Sequence, residues 1–298
     1  MKLLVIIIDG GTWRVLDKYC LPFIQSFQQR AILHSPIPIT QPATATMFTG
    51  KEPHEHGLES FTKNGRLLTR KNLNVPYVWE NINACHGIVN IPGTYPIVTT
   101  SKTKLLVCGF DSPGHNTKGF KTYYPDYLPM DGYYFDLLHE LKLHPNNEQK
   151  VIDKKTILKW CIETLNARIL SCIQWWKIFS DIKLYIISLT EFDRLMHFCF
   201  GIEEYEKEFL VTQDHYIEQL NYFCQPDNIL IVSDHGFCGK DDTENGKYYL
   251  EHMPKLGPNM EGVHSHDGII TWSGPDIKIT SDKPSSKIVA DVIKNVFK

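Results

Sequence analysis

The chain has 298 residues, of which 42% are hydrophobic and 22% are charged, and its formal net charge is −3. These values are ordinary for a globular protein with a sizeable core, and they exclude disordered, collagenous and coiled-coil chains. A net charge so close to zero gives no sign of binding to bulk nucleic acid or to a membrane surface.

The start of the chain and the cysteines indicate the compartment. The first apolar run, Leu3–Ile8, ends at Asp9, whereas a membrane helix needs about 18 apolar residues and a secretion signal about 7–15 with a cleavage site. A soluble, cytoplasmic protein is therefore predicted. The eight cysteines are scattered without a Cys-x-x-Cys pair, so buried free thiols are expected.

Short apolar runs rich in β-branched residues recur along the chain and end in small or polar residues. They do not alternate apolar with polar residues, which predicts strands buried on both faces, as in a parallel sheet. In chain order the predicted strands lie at residues 3–8, 87–91, 105–107, 184–188, 229–232 and 269–272.

Helical patterns lie between these runs. Residues 16–29 carry apolar side chains at helical spacing, longer helices are predicted at 155–179 and 203–223, and a last helix at 285–297. Alternating strands and helices predict a layered α/β fold. Residues 1–298 are expected to form a single catalytic domain. Residues 58–150, rich in Pro, Gly, Tyr and Asn, would be a cap-like elaboration on it.

Acidic and imidazole side chains follow the ends of three predicted strands. Asp9 follows the first strand, Asp193 and His197 follow the fourth, and Asp234 and His235 follow the fifth. Open α/β sheets bind ligands at the carboxyl ends of their strands, so these residues are expected at one edge of the sheet. The i, i+4 spacing of Asp193 and His197 places both on the same side of a helix.

Two more histidines, His264 and His266, precede the last predicted strand. Carboxylates and imidazoles suit Zn²⁺, and carboxylates also suit Mn²⁺. Any one of these residues alone is more typical of a cap, a turn or a core position, but together they predict a site for two divalent metal ions. Cysteine is absent from the clusters, which argues against a structural thiolate zinc site.

A nucleophile candidate lies in the threonine-rich segment at residues 39–50. Backbone N–H groups at a helix N-terminus stabilise an alkoxide or a bound phosphate. Pro42, two residues after Thr40, fits a helix that opens there. Coordination of the hydroxyl to a metal would make it a nucleophile. Thr44 and Thr46 share the segment, and the helix opening favours Thr40.

Five motifs in order along the chain resemble those of the type I phosphodiesterase/nucleotide pyrophosphatase family of the alkaline phosphatase superfamily. The spacing from Thr40 to Pro42 and then to Thr49-Gly50 is similar to that of the family's nucleophile segment. Residues 90–96 resemble a segment of its microbial phosphohydrolase branch, and His264 matches a late metal-site histidine. The motifs are Ile8-Asp9-Gly10-Gly11-Thr12-Trp13, Thr40-x-Pro42, Pro53-x-x-His56-Gly57, Asp193-x-x-x-His197 and Ser233-Asp234-His235-Gly236.

The resemblance implies an alkaline-phosphatase-like sandwich with a largely parallel central sheet flanked by helices. It also implies two divalent ions, Zn or Mn, and Thr40 as a nucleophile that forms a phospho-threonine intermediate. The implied substrates are small phosphate esters, including nucleotides, cleaved at phosphodiester or nucleotide pyrophosphate bonds. The implied ligands of one ion are Asp9, Thr40, Asp234 and His235, and those of the other are Asp193, His197 and His264.

The chain departs from the family at one position. In the family's nucleotide pyrophosphatases an asparagine four residues after the His-Gly glycine contacts the phosphate, and here that position is Phe61. Lys63, Arg66 and His266 are weaker substrate-binding candidates, whose alternatives are a solvated hairpin and an exposed loop.

Other functions compete with phosphodiester hydrolysis. A phosphomonoesterase or a phosphomutase of the same superfamily is the first alternative, and a non-catalytic protein that binds a phosphate ligand is the second. A sulfatase is disfavoured because Thr40 stands where that class needs a modified Cys or Ser. The binding protein is disfavoured because none of the expected metal ligands is missing.

Overall fold

The computed structural model describes residues 1–113, 118–130, 133, 153–252 and 259–298. Within this part of the chain, eight strands form one central sheet and four more form two small two-stranded sheets, the β3–β4 hairpin and the β10–β11 pair. The strands are β1 (Leu3–Ile8), β2 (Gln29–His34), β3 (Thr62–Lys63), β4 (Arg66–Leu67), β5 (His86–Ile91), β6 (Thr103–Cys108), β7 (Tyr123–Tyr124), β8 (Leu184–Leu189), β9 (Asn228–Val232), β10 (Gly236–Gly239), β11 (Gly262–Ser265) and β12 (Asp267–Ser273).

The helices cover both faces of the sheet. A single 3₁₀ turn at Arg70–Asn72 precedes α5. The α-helices are α1 (Trp13–Leu16), α2 (Pro22–Gln25), α3 (Thr40–Thr49), α4 (Pro53–His56), α5 (Val78–Asn81), α6 (Lys154–Ile178), α7 (Glu191–Cys199), α8 (Glu203–Cys224), α9 (Lys247–His252) and α10 (Ile288–Val296).

The central sheet has the order β2-β12-β9-β1-β8-β5-β6-β7. The five strands from β9 to β6 are parallel to one another. The antiparallel strands β12 and β2 extend one side, and β7 extends the other. The prediction of a largely parallel sheet flanked by helices is therefore confirmed.

The burial of β1 explains the layered architecture. Alternate side chains of a strand point to opposite faces of its sheet, and here both sets are buried. Leu4, Ile6 and Ile8 pack into a core with α6, α7 and α8. Leu3, Val5 and Ile7 pack into a second core with α3, α5 and α10. A strand that needs apolar side chains on both faces has the unbroken apolar run seen in the sequence.

The predicted helix at residues 16–29 is wrong. This segment contains the end of α1, the single turn α2 and the start of the edge strand β2. The carboxylate of Asp214, in α8, accepts the backbone N–H groups of Phe23 and Ile24 at 2.9 and 2.8 Å. Pro22 and this distant carboxylate fix a separate turn, so apolar side chains at helical spacing reach the core without a continuous helix.

The other predicted strands and helices are confirmed, with ends that differ by a few residues. Strands β5, β6 and β7 of the central sheet lie within residues 58–150, as does the β3–β4 hairpin. Residues 114–117, 131–132 and 134–150 of that stretch lie outside the described residues.

None of the eight cysteines, all of which lie in the described ranges, forms a disulfide, and six of them are buried; Cys20 is exposed and Cys85 is half-buried. None of the helices in the described ranges is both long enough and apolar enough to cross a membrane.

Candidate metal centre

The centre lies at the carboxyl edge of three neighbouring strands. β1 pairs in parallel with β8 on one side and with β9 on the other, so the residues that follow these strands meet. Asp9 follows β1, and its N–H donates to Leu189 O at 3.0 Å. Gly10 turns the chain with φ +74°, and its N–H donates to Asp234 Oδ1, after β9, at 3.4 Å.

The helix α7 and the antiparallel β10–β11 pair bring in the remaining side chains. Asp193 and His197 lie one turn apart on α7, with 3.5 Å between Asp193 Oδ1 and His197 Nε2. His264, in β11, places its Nε2 3.0 Å from Asp193 Oδ1 and 3.0 Å from His197 Nε2. His235 Nε2 is 3.2 Å from Asp9 Oδ1. All these side chains are buried.

Each of the three imidazoles is oriented by a backbone carbonyl. The Nδ1 atoms of His197, His235 and His264 lie 3.1, 3.1 and 2.9 Å from the oxygens of Gly262, Gly236 and Pro38 respectively. A donated Nδ1–H leaves Nε2 as the free lone pair, which is the arrangement that metal-binding histidines use. All three Nε2 atoms lie within 4 Å of the Asp193 carboxylate.

Two groups of side chains could hold a metal ion, and they share one carboxylate. Asp193, His197 and His264 form the first, and Asp9, Asp193 and His235 form the second, with the ligand atoms of each group within 4.8 Å of one another. Asp234 borders the second group, with its Oδ2 3.5 Å from His235 Nε2.

Several carboxylate oxygens of the Asp/His cluster are buried and lack a hydrogen-bond donor, and this shows whether the cluster suits cations. Both carboxylate oxygens of Asp9, Oδ1 of Asp193 and Oδ2 of Asp234 are buried, and they receive no hydrogen bond from the part of the chain that the structure describes. A buried anionic oxygen without a donor is costly unless a cation compensates it. The donor set therefore fits divalent metal ions.

Electrostatics differ between the two groups. Burial, together with the charges of Asp234 and Asp193, raises the pKa of Asp9 well above its usual range. Burial also raises the pKa of Asp234. Burial would lower the pKa of His235, but the carboxylates around it raise that pKa to about 10. Without a metal cation, the imidazolium of His235 would therefore balance the negative charge of the second group.

In the first group, formed by Asp193, His197 and His264, the pKa values shift in the opposite direction. Burial lowers the pKa of His197, and burial with the charge of His235 lowers that of His264 to about 3. Burial acts to raise the pKa of Asp193. The two imidazoles and the Arg194 guanidinium outweigh that effect and hold the pKa well below its usual range. Neutral imidazoles beside an ionised carboxylate are ready to bind a metal ion.

Thr40 differs from the other two threonines of its segment. It is the first residue of α3 and is buried, and its Oγ1 lies 3.3 Å from His235 Nε2. Thr44 Oγ1 donates to Thr40 O at 2.8 Å, and Thr46 Oγ1 donates to Pro42 O at 3.0 Å. Both hydroxyls thus bond within α3, and that of Thr46 also lies 3.0 Å from His56 Nε2 in α4. The Thr40 hydroxyl instead faces the two groups of side chains that could hold a metal ion.

The weaker substrate candidates lie outside this cluster. Lys63 and Arg66 are exposed and face each other across the β3–β4 hairpin. His266 Nδ1 lies 2.7 Å from Ser35 O, and its ring stacks on His34 with 5.4 Å between centroids. Phe61 packs against Phe110 with 5.9 Å between ring centroids.

Sequence reasoning missed two side chains next to the centre. Arg194 Nη1 lies 3.1 Å from Asp193 Oδ2, and its guanidinium lies 4.7 Å from the Phe110 ring centroid. The Tyr249 ring lies 4.6 Å from the ring of His264. The position of Arg194 directly after Asp193 was a usable signal. Nothing local marks Tyr249, which reaches the site because α9 packs against β11.

The largely parallel sheet flanked by helices is an alkaline-phosphatase-like fold. More particularly, residues 3–295 match the model of the family described as type I phosphodiesterase / nucleotide pyrophosphatase, and the chain belongs to that family. No curated protein matches the chain significantly.

Solved structures with the same fold include three with different activities. Murine ectonucleotide pyrophosphatase / phosphodiesterase 5 is 14% identical over 100% of this chain and 95% of its own, with a TM-score of 0.62. Alkaline phosphatase PafA is 12% identical over 99% and 95%, with a TM-score of 0.58. Phosphonoacetate hydrolase from Sinorhizobium meliloti 1021 is 14% identical over 86% and 62%, with a TM-score of 0.53.

Proposed function

We propose that the protein is a metal-dependent phosphodiesterase that cleaves phosphodiester or nucleotide pyrophosphate bonds, with Thr40 as its nucleophile. The observation that carries the proposal is the 3.3 Å approach of Thr40 Oγ1 to His235 Nε2, at the border of two Asp/His groups that share Asp193. Membership of the family supports the same class of reaction.

Two divalent ions, Zn or Mn, would be held by the buried Asp/His cluster. When bound, such ions neutralise phosphate oxygens and lower the pKa of a coordinated hydroxyl. The proposed ligands of one ion are Asp9, Thr40, Asp234 and His235, and those of the other are Asp193, His197 and His264.

The protein's own residues would carry the covalent step. The Thr40 oxygen attacks phosphorus, a new P–O bond forms, and the ester P–O bond to the leaving alcohol breaks. Water then hydrolyses the phospho-threonine and restores the hydroxyl. At the start of α3, the N-cap residue Ile39 makes no side-chain hydrogen bond to the first backbone N–H groups of the helix. N–H groups at a helix N-terminus favour the negative charge that develops on the phosphate.

A relative supports a nucleotide-type substrate. An inactive threonine-to-alanine variant of murine ectonucleotide pyrophosphatase / phosphodiesterase 5 was solved in complex with AMP. In this chain Lys63 and Arg66, exposed on the β3–β4 hairpin, would attract an anionic substrate.

A substrate panel tests the proposal. The purified protein, supplied with Zn²⁺ or Mn²⁺, is assayed on bis-p-nitrophenyl phosphate, p-nitrophenyl phosphate and p-nitrophenyl sulfate. Faster turnover of the diester supports the proposal, and acid quench followed by mass spectrometry is expected to find a p-nitrophenyl phosphoryl group on Thr40. Faster turnover of the monoester would favour the phosphomonoesterase, sulfate-only turnover a sulfatase, and no turnover of any ester the binding protein.

A further inference from the structure

A buried carboxylate outside the metal centre joins three segments next to Thr40. Asp111 follows strand β6, and its Oδ2 accepts the backbone N–H of Gly93 at 2.6 Å and the side-chain N–H of Gln41 at 2.7 Å. Gly93 lies in the loop after β5, and Gln41 is the second residue of α3. One oxygen therefore ties two loops of the carboxyl edge to the first turn of the helix that begins with Thr40.

The Gln41 side chain is held in place by burial and by two hydrogen bonds. It is fully buried, and its Nε2 also donates to Leu68 O at 2.8 Å. Both Nε2 hydrogens are thus used, one on the carboxylate and one on the backbone after the β3–β4 hairpin. Any displacement of Gln41 would also move Thr40, the residue before it.

We call the Asp111 carboxylate, together with Gln41 and Gly93 that donate to it, the Asp111 clamp. Gly93 is as constrained as Gln41. Gly93 has φ +78°, and a Cβ at this position would lie 2.7 Å from the hydroxyl oxygen of Tyr77. That hydroxyl donates to Gly93 O at 3.1 Å. The glycine is held from both sides, so the carboxylate is anchored to a fixed point of the fold.

The carboxylate is poorly compensated as a charge. Burial raises the pKa of Asp111 to about 6, although the hydrogen bonds from Gly93 and Gln41 act to lower it. Its Oδ1 is buried and receives no hydrogen bond within the described ranges. An apolar or amide side chain would cost less to bury, so stability alone does not account for an aspartate here.

We propose that Asp111 is a positioning residue that, through Gln41, holds the first turn of α3 so that the Thr40 hydroxyl stays directed at the metal groups. The inference rests on the proposed nucleophile for its effect on turnover, but the clamp itself is a property of the fold. Misplacement of a reacting group by about 1 Å can cost about 100-fold in rate.

The experiment compares three variants of the full chain with the wild type. Asp111→Leu removes both acceptors, whereas Asp111→Asn keeps one oxygen that can accept from Gln41 and Gly93. Asp214→Leu is the matched control, because Asp214 is a buried carboxylate that also accepts two N–H groups, at α2 on the far side of the sheet from Thr40. Each variant is measured for kcat, KM, metal content and hydrogen exchange of the peptide covering residues 38–49.

For Asp111→Leu we expect kcat to fall about 100-fold with KM changed less than about threefold, unchanged metal content and faster exchange in the α3 peptide. Asp111→Asn is expected to restore most of kcat and the slow exchange. Asp214→Leu is expected to lose stability without this loss of kcat. If Asp111→Leu does not fold, Gln41→Met tests the same link and is expected to reproduce the loss.

The outcomes separate the clamp from the proposed nucleophile. Slow exchange and normal kcat in Asp111→Leu would overturn the positioning role. Equal loss of kcat in Asp111→Leu and Asp214→Leu would overturn it too, because the effect would then be general destabilisation. If Thr40→Ala keeps full activity, the proposed function fails, and the exchange of the α3 peptide still decides whether Asp111 holds that turn.

Discussion

Two neighbouring parts of the sheet's carboxyl edge bury carboxylates in different ways. After β1, β8 and β9, Asp9, Asp193 and Asp234 present oxygens that no donor in the described residues satisfies. After β6, the single carboxylate of Asp111 directs Oδ2 to two N–H donors, from Gly93 and Gln41, and leaves only its Oδ1 without a donor in the described residues. The first arrangement suits a cation, and the second builds a rigid frame beside it.

The difference shows that burial of a carboxylate does not by itself identify a metal ligand. At the metal centre the negative charge of Asp193 raises the pKa of both Asp9 and Asp234, and the positive charge of His235 acts to lower both. At the Asp111 clamp there is one carboxylate, and its neighbours are amides. The number of converging anionic oxygens, rather than depth, distinguishes the two regions.

Metal removal has the largest expected effect and acts on one region alone. Chelation with EDTA is expected to reduce phosphodiester hydrolysis to background, and added Mn²⁺ or Zn²⁺ to restore it, because nucleophile activation and charge stabilisation are lost together. The far-UV circular dichroism spectrum is expected to stay unchanged, since the ligands sit on a large preformed core. Full activity in metal-free protein would contradict the metal centre.

Replacement of Thr40 is expected to have the next largest effect. Thr40→Ala should lower kcat by at least about 10³-fold, because the activated nucleophile is gone while the metal ligands on other elements remain. Thr44→Ala is the matched control and should lose less than about tenfold, since its hydroxyl bonds only to backbone oxygens of α3. If Thr44→Ala is the inactive variant, the choice of Thr40 is wrong.

Neutral, nearly isosteric substitutions compare the two regions directly. Asp9→Asn should lower kcat by about 100-fold and reduce the bound metal, because an amide is a poorer ligand than a carboxylate. Asp111→Asn should keep the metal and most of the activity. Metal content measured by mass spectrometry checks both variants, and equal metal loss in the two would erase the distinction between the regions.

The sequence predicted the position of the Asp/His cluster better than it predicted the contacts of Asp111 next to it. Fully buried parallel strands have continuous apolar runs, so the ends of β1, β8 and β9, and hence the positions of Asp9, Asp193 and Asp234, follow from local pattern. These three carboxylates then come close together because β1 lies between β8 and β9 and runs parallel to both. Their roles as ligands stay a prediction.

The clamp and the region around α2 depend on contacts between distant residues. Gln41 and Asp111 are 70 positions apart, and no spacing rule connects them. Residues 16–29 have helical periodicity, yet Asp214, 190 positions from Ile24, fixes a separate turn there. Local patterns report what a segment buries, whereas these side-chain acceptors decide how its backbone runs.

The smallest expected effect concerns stability and pH at Asp111. In the folded protein its pKa is raised from 3.8 to about 6. Below about pH 4 the carboxyl is protonated in both folded and unfolded chains and costs nothing. As the pH rises from about 4 to 6, the unfolded chain ionises first, so the free energy of unfolding falls; above 6 both forms are ionised and the cost is constant.

Asp111→Asn lacks this titration and keeps the hydrogen bonds. The difference in free energy of unfolding, variant minus wild type, should therefore rise between about pH 4 and 6 and then level off, at roughly 1–3 kcal/mol in favour of the variant. Every other titratable group is common to both proteins, so the subtraction isolates Asp111. Urea unfolding across pH 4–8 measures it. If the difference stays flat with pH, or falls as the pH rises, Asp111 is not a buried carboxyl with a raised pKa. The contrast between the Asp111 clamp and the candidate metal centre would then rest on hydrogen bonding alone.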